Sequence, residues 1–437
     1  MIQAVNQIAA ALEAEFPHVT FDTLAYMHTR RPPLHTRPRH NVVIRLCTIE
    51  CDFARPLTHP NNQAFRADLD GWSALTSRIH VWDYITNFNE YFTPFPNWYA
   101  EQATAQSSTD THTAISRSTH LFLPAPCTHT RHRYTLIENA RYYHLHGVVG
   151  LFAEGTYNTR GGDLPQLKDF LISRAMKDPH RANTDTLIDT FVRGYYGEGA
   201  APHILQYMSL LSTAALLNAS LPMGEAFGVN TEFLTPPVVL DAAHCMASAE
   251  RAARQHASSS SSSSSAATAG RALLHEGAAV RVQDEQPRDG TTTAAADHPS
   301  HDEQRFVRRV VEAGLPIMHT VMRRWWELRY YARAAATLEV QNNNNNNNNG
   351  PLHYSSDGSW PYSESLHVQF ETFSERFEAM GATALAEDRR NLTWLHHTLF
   401  DRSPPPAPPP PPSPPPRPPV LRRGSLPWDQ ATPGRAP

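Results

Sequence analysis

Residues 78–98 read RIHVWDYITNFNEYFTPFPNW, and within them a short apolar strand runs directly into a polar and aromatic cluster. Ile79 and Val81 are β-branched and Trp82 is aromatic, as a buried strand requires. The cluster that follows holds Asp83, Tyr84, Asn87, Asn89 and Trp98, with Pro94 and Pro96 stiffening the backbone. Carboxylate, amide, phenol and indole groups in one segment form the set that grips a polyhydroxylated ligand. The pattern predicts a scaffold strand that ends at a binding site for sugar.

Working outward, residues 19–26 (VTFDTLAY), 41–47 (NVVIRLC) and 147–152 (GVVGLF) repeat the short apolar run. Helical spacing marks residues 2–16, and residues 62–77 and 134–143 have room for helices between strands. This alternation predicts an α/β fold with a parallel sheet covered by helices, in which polar residues just past the strand ends form the site. Those residues are Tyr26, Glu50, Asp52, Asp83, Tyr84, Asn87 and Glu154. Four strands are half of an eight-stranded barrel, and the chain opens on a helix, so the reading is a partial or truncated (β/α) TIM-type barrel whose first half is absent. Residues 163–179, 184–217, 303–335 and 362–400 read as helices, the last two as a helical C-terminal domain.

The expected organisation is therefore a barrel half over 1–217, with an insertion at about 101–133, and a linker over 218–300 carrying the serine run 258–265. A helical domain over 301–400, interrupted by the asparagine run 342–349, and a proline-rich disordered tail over 401–437 complete it.

Lys and Arg number 38 against 42 Asp and Glu, a net charge of -4, which leaves no electrostatic footprint for nucleic acid or an anionic membrane. No apolar run reaches the roughly 18 residues of a membrane span, and Met1 leads into an amphipathic helix rather than a signal peptide. An intracellular protein or an upstream start fits this, and localisation stays open. Four scattered cysteines make no disulfide framework.

Several phrases in fixed order carry a resemblance: LEAEFPHVTFDTLAYMHTRRPP (12–33), NVVIRLCTIECDFARPL (41–57), VWDYITNFNEYFTPFPN (81–97), GVVGLFAEG (147–155) and FVRGYYGEGA (191–200). Together they resemble the uncharacterised barrel family called domain of unknown function 4838, found in predicted carbohydrate-active proteins and similar in layout to α-glucuronidases and hexosaminidases. The resemblance covers about residues 1–217 and extends more loosely to the later helices. It implies a glycoside-hydrolase-like barrel with further strands upstream, and a carbohydrate partner.

Glycoside hydrolysis needs two carboxyl groups flanking the scissile bond. Glu50, Asp83 and Glu154 are the catalytic candidates because each closely follows an expected strand; Asp52 is a weaker fourth. The competing reading is that they are rim carboxylates paired with Arg45, Arg55 or Arg160. Tyr26, Tyr84, Asn87 and Trp98 are the substrate-binding candidates, whereas Trp82 reads as packing and Tyr195 and Tyr196 as a helix end against the sheet. Cys47 and Cys51, and Cys127 with His129 and His132, lack the spacing of a structural zinc site, so no metal is expected. No dinucleotide, phosphate-loop or serine-elbow motif occurs, and no cofactor is expected. Asn218 and Asn391 lie in glycosylation tripeptides, which matter only in a secreted chain. A glycoside hydrolase, a non-catalytic carbohydrate-binding relic and a protein whose tail (404–419) recruits polyproline-binding domains remain the three alternatives.

Overall fold

Val42, Ile44, Leu46, Ile79 and Val81 are all at most 1% exposed, and they define the buried side of a parallel sheet. The computed structural model describes residues 1–98, 100–101, 132–133, 135–218, 222–264, 301–343 and 365–401. Helix α1 (Ile2–Glu13) precedes strands β1 (Phe21–Ala25) and β2 (Val42–Cys47). Helix α2 (Gln63–Ser73) leads to β3 (Ile79–Tyr84). A small antiparallel pair, β4 (Ala100–Glu101) with β5 (His132–Arg133), stands before α3 (Thr135–Leu145) and β6 (Val148–Glu154). The order β1–β2–β3–β6 is parallel throughout, as the β-α alternation requires.

Side chains alternate across a strand, so the register assigns each residue to a face. Arg45 pairs with Leu24 and His80, while Trp82 pairs with Cys47 and Phe152. These residues share the face opposite the core, and that face is open: Leu24 is 41% and Phe152 46% exposed. Arg45 is held there by Asp22 at 2.6 Å and lies over the Trp82 ring at 5.6 Å. Strands covered on both faces are therefore not observed among the described residues. A register shift sits between Ile79 and His80, and a Cβ on the facing Gly150 would lie 2.6 Å from the His80 ring, so any larger residue there forces the ring to move.

Helices α4 (Pro165–Lys177), α5 (Thr184–Tyr196) and α6 (Ala201–Asn218) follow the sheet. The single helical segment expected over 184–217 is two helices, because Gly197 at φ 89° ends α5. The linker expected over 218–300 needs a larger correction. Helix α7 (Pro236–Ser264) occupies part of it and buries Val238, Val239, Leu240, Ala243 and Met246. It packs between α6 and α8 (His301–Arg323), on which α10 (Leu366–Ala379) and α11 (Leu392–Phe400) also lie; α9 (Trp325–Asn343) follows α8. Small alanines allow the close approach that makes α7 central despite its polar neighbour sequence. A separate C-terminal helical domain is likewise not found, since Met1–Pro404 forms one compact unit. Residues 265–300 and 344–349 and the tail from 404 lie outside the described residues, as does most of the insertion at 101–133.

The late helices matter to the sheet because their connecting loops are hydrogen-bonded to its carboxyl end. Phe88 N donates to Glu225 O at 2.9 Å, Tyr91 N to Leu385 O at 2.8 Å and Glu387 N to Phe88 O at 2.9 Å. Glu90, only 4% exposed, accepts from Arg323 at 2.9 Å and ties the loop after β3 to α8. Residues far apart in sequence thus reach the strand ends.

Candidate functional site

Glu154 closes β6, in register with Tyr84, and therefore projects on the open face. Trp82 Nε1, two residues before Tyr84 on the same face, donates to Glu154 Oε2 at 2.7 Å. Burial pushes the Glu154 carboxyl above its ordinary value; the indole bond opposes this and the charge of Glu387 adds to it. Glu225 is raised in the same way, by burial first and then by Glu387. Glu387 itself is exposed and accepts from Tyr157 Oη at 3.1 Å. Burial raises the phenols of Tyr26 and Tyr84, and Glu154 and Glu225 act on both. Buried Cys47, hydrogen-bonded to Tyr84, is pushed up to about 11 by desolvation and is not a nucleophile at neutral pH. Glu154 with Trp82 and Tyr84, and the Glu225 and Glu387 loops bonded to Phe88, thus stand at the carboxyl ends of parallel strands, where an α/β sheet places its ligand.

The three carboxylates expected from sequence do not form one site. Asp83 has the parity of Ile79 and Val81 and faces the helices, accepting from Thr48 Oγ1 at 2.7 Å, Tyr84 N at 3.0 Å and Tyr143 Oη at 3.3 Å. Burial raises its carboxyl, and these bonds partly offset that. Glu50 is half-exposed and ion-paired with Arg30, which also holds Asp68 at 2.7 Å. Asp52 follows the ion-pair alternative: it holds Arg55 at 3.2 Å and accepts from Met223 N at 3.2 Å. Of the expected catalytic residues, only Glu154 stands in the open-face cluster.

The substrate-binding candidates divide similarly. Tyr26 and Tyr84 belong to the cluster, although Tyr84 is mostly buried between Phe53 and Phe88. Asn87 is fully buried; its Nδ2 donates to Phe227 O at 2.9 Å and its Oδ1 accepts from Phe227 N at 3.1 Å, so it joins two loops. Trp98 is also fully buried, with Lys168 Nζ 5.1 Å from its ring centre, and has no free face for a sugar. Lys168 in turn donates to Ile85 O at 3.2 Å and Phe95 O at 3.1 Å, and burial lowers it to about 8.

A cavity of about 620 Å³ opens immediately past β3 and β6, where Thr86, Gly155 and Thr156 reach its wall together with Arg160, Asp163 and Glu312. Its mixed charges and hydroxyls suit a polar ligand. Among the described residues one group has metal-ligand proximity, His396, His397 and Asp401; all three are exposed at the end of α11. Of the Cys127 group, Cys127 and His129 lie outside the described residues.

Sequence reasoning missed Glu225, Glu387 and Tyr157. The first two sit in loops between helices, GEAFG and AEDRR, with no strand beside them to mark a site. Tyr157 follows β6 closely enough to be found by the strand-end rule.

Residues 1–119 and 116–209 match the sequence profile of a family described as Domain of unknown function (DUF4838). No curated protein and no solved structure matches the chain significantly.

Proposed function

We propose that this chain, whose N-terminal region belongs to the domain of unknown function 4838 family, recognises carbohydrate at the open-face cluster and hydrolyses a glycosidic bond there. The observation that carries the reading is Glu154, held by Trp82 on the open face at the end of β6, with the Glu225 loop and the Glu387 loop, whose carboxylate accepts from Tyr157, bonded through Phe88 to the same end of the sheet. Glycoside hydrolysis requires one carboxyl group that holds its proton and a second that is available as base or nucleophile. Glu154 suits the first role, because burial favours its neutral form and Trp82 fixes its orientation. Glu387 suits the second, being exposed and oriented by the Tyr157 hydroxyl. In the reaction Glu154 gives its proton to the leaving oxygen and the glycosidic C–O bond breaks. Water supplies the hydroxyl to the anomeric carbon, and its remaining proton returns to the carboxylate pair. The aromatic groups offer π faces to the C–H side of a pyranose.

The test is release of reducing sugar from a glycan panel, followed by kinetics of Glu154→Gln and Glu387→Gln on the best substrate. Each amide should lower kcat by roughly 10²–10⁴ with KM near the parental value. A parent that binds no glycan overturns the reading; one that binds without cleaving leaves recognition and removes hydrolysis.

A further inference from the structure

Helix α11 reads LTWLHHTLF and is followed by Asp401. Its apolar spacing turns Leu395 fully inward, with Leu392 and Leu399 packed against the same core. His396, His397 and Asp401 are left on the solvent side. His397 and Asp401 stand four residues apart, one turn along the helix, and His397 Nδ1 is hydrogen-bonded to the Asp401 carboxylate. One donor atom from each of the three residues lies within 4.8 Å of the other two.

We propose that His396, His397 and Asp401 bind a divalent transition-metal ion such as zinc at the end of α11. Two imidazoles and a carboxylate are donors that zinc accepts, whereas calcium and magnesium take oxygen ligands. Metal–donor bonds of about 2.0–2.2 Å put the ligand atoms of a tetrahedral site about 3.3 Å apart. Rotation of the exposed His397 and Asp401 side chains supplies the adjustment from the spacing observed. Three protein donors leave the fourth tetrahedral position to water, the arrangement of an open site.

The surroundings hold the donors near that arrangement. His396 is in ring contact with Phe370 of α10 and with Phe400, at 5.3 and 4.8 Å between ring centres, which restricts its rotation. The group also sits at the carboxyl end of its helix, where the dipole and the last free carbonyls favour a cation. By joining two residues of the final turn to Asp401, just past the helix end, the ion holds that turn closed. The donors lie on a different element from Glu154, Glu225 and Glu387, so the metal site is independent of the hydrolytic reading.

Calorimetric titration of the full chain with Zn2+ tests the site, with Co2+ as its spectroscopic substitute. A first equivalent of zinc should bind and raise the melting temperature by mass action, and Co2+ should give the visible bands of a four-coordinate ion. His396→Ala, His397→Ala and Asp401→Asn, all at exposed positions, should leave the circular dichroism spectrum unchanged. Each should weaken that first equivalent by at least about tenfold, because loss of an outer-shell partner alone costs that much. The control is His144→Ala, at an exposed imidazole whose ring lies 5.1 Å from that of His180, and it should bind zinc as the parent does. A parent that binds no zinc overturns the proposal. So does a first equivalent that all three ligand variants retain at parental strength, or a loss that His144→Ala reproduces.

Discussion

Replacing Asn87 by Ala separates a scaffold role from a ligand role at the residue that best joins the two loops over the site. Asn87 is fully buried, and its amide both donates to and accepts from the backbone of Phe227, at 2.9 and 3.1 Å. Alanine removes both bonds and leaves a carbonyl and an N–H of Phe227 without partners, and each such group costs roughly 1–3 kcal/mol. With some relief from water entering the vacated space, the expected loss is about 2–4 kcal/mol. Urea unfolding at constant m-value should show the midpoint falling by roughly 1 M or more. Glu225 lies two residues from Phe227, so the variant should also lower kcat by loosening the carboxylate cluster. Stability within about 0.5 kcal/mol of the parent, combined with loss of glycan binding, would refute the scaffold assignment and restore Asn87 as a ligand contact.

Gly150→Ala should destabilise by about 1–3 kcal/mol because its Cβ meets the His80 ring, and His80→Ala in the same chain should recover most of that loss; equilibrium unfolding of the four proteins measures the coupling. Asp241 is raised to about 7 by burial alone, so the folded state keeps a proton that the unfolded chain releases near its ordinary value of 3.8. Stability should therefore fall as pH rises from about 4 to 7, and Asp241→Asn should stabilise the protein by roughly 1–3 kcal/mol above that window and little below it. Lys168 has the opposite sign, releasing its folded-state proton near 8 rather than 10.5, so its share of stability rises between those pH values; Lys168→Met should remove that rise from the pH profile of unfolding.

The sheet was readable because each strand is a compact apolar run whose boundaries fall within about two residues of the observed ones. Its parallel order followed from the intervening helices. The side taken by Asp83 was legible too: it shares parity with Ile79 and Val81, so period-two alternation alone assigns it to the helix side, away from Glu154. Helix α7 was hidden because its buried face is largely alanine and valine and runs into serines, a composition that reads as linker unless its packing partners are known. Glu225 and Glu387 were unreadable for a different reason. Their loops acquire meaning only when backbone bonds to Phe88 carry them onto the strand ends, and no local pattern encodes that encounter.

The most direct measurement compares Glu154→Gln with Asp83→Asn on one cleavable glycan. Open-face catalysis predicts that Glu154→Gln lowers kcat by roughly 10²–10⁴ while Asp83→Asn retains turnover and mainly changes stability. A dead Asp83→Asn beside a fully active Glu154→Gln would contradict it and move the chemistry to the helix side of the sheet.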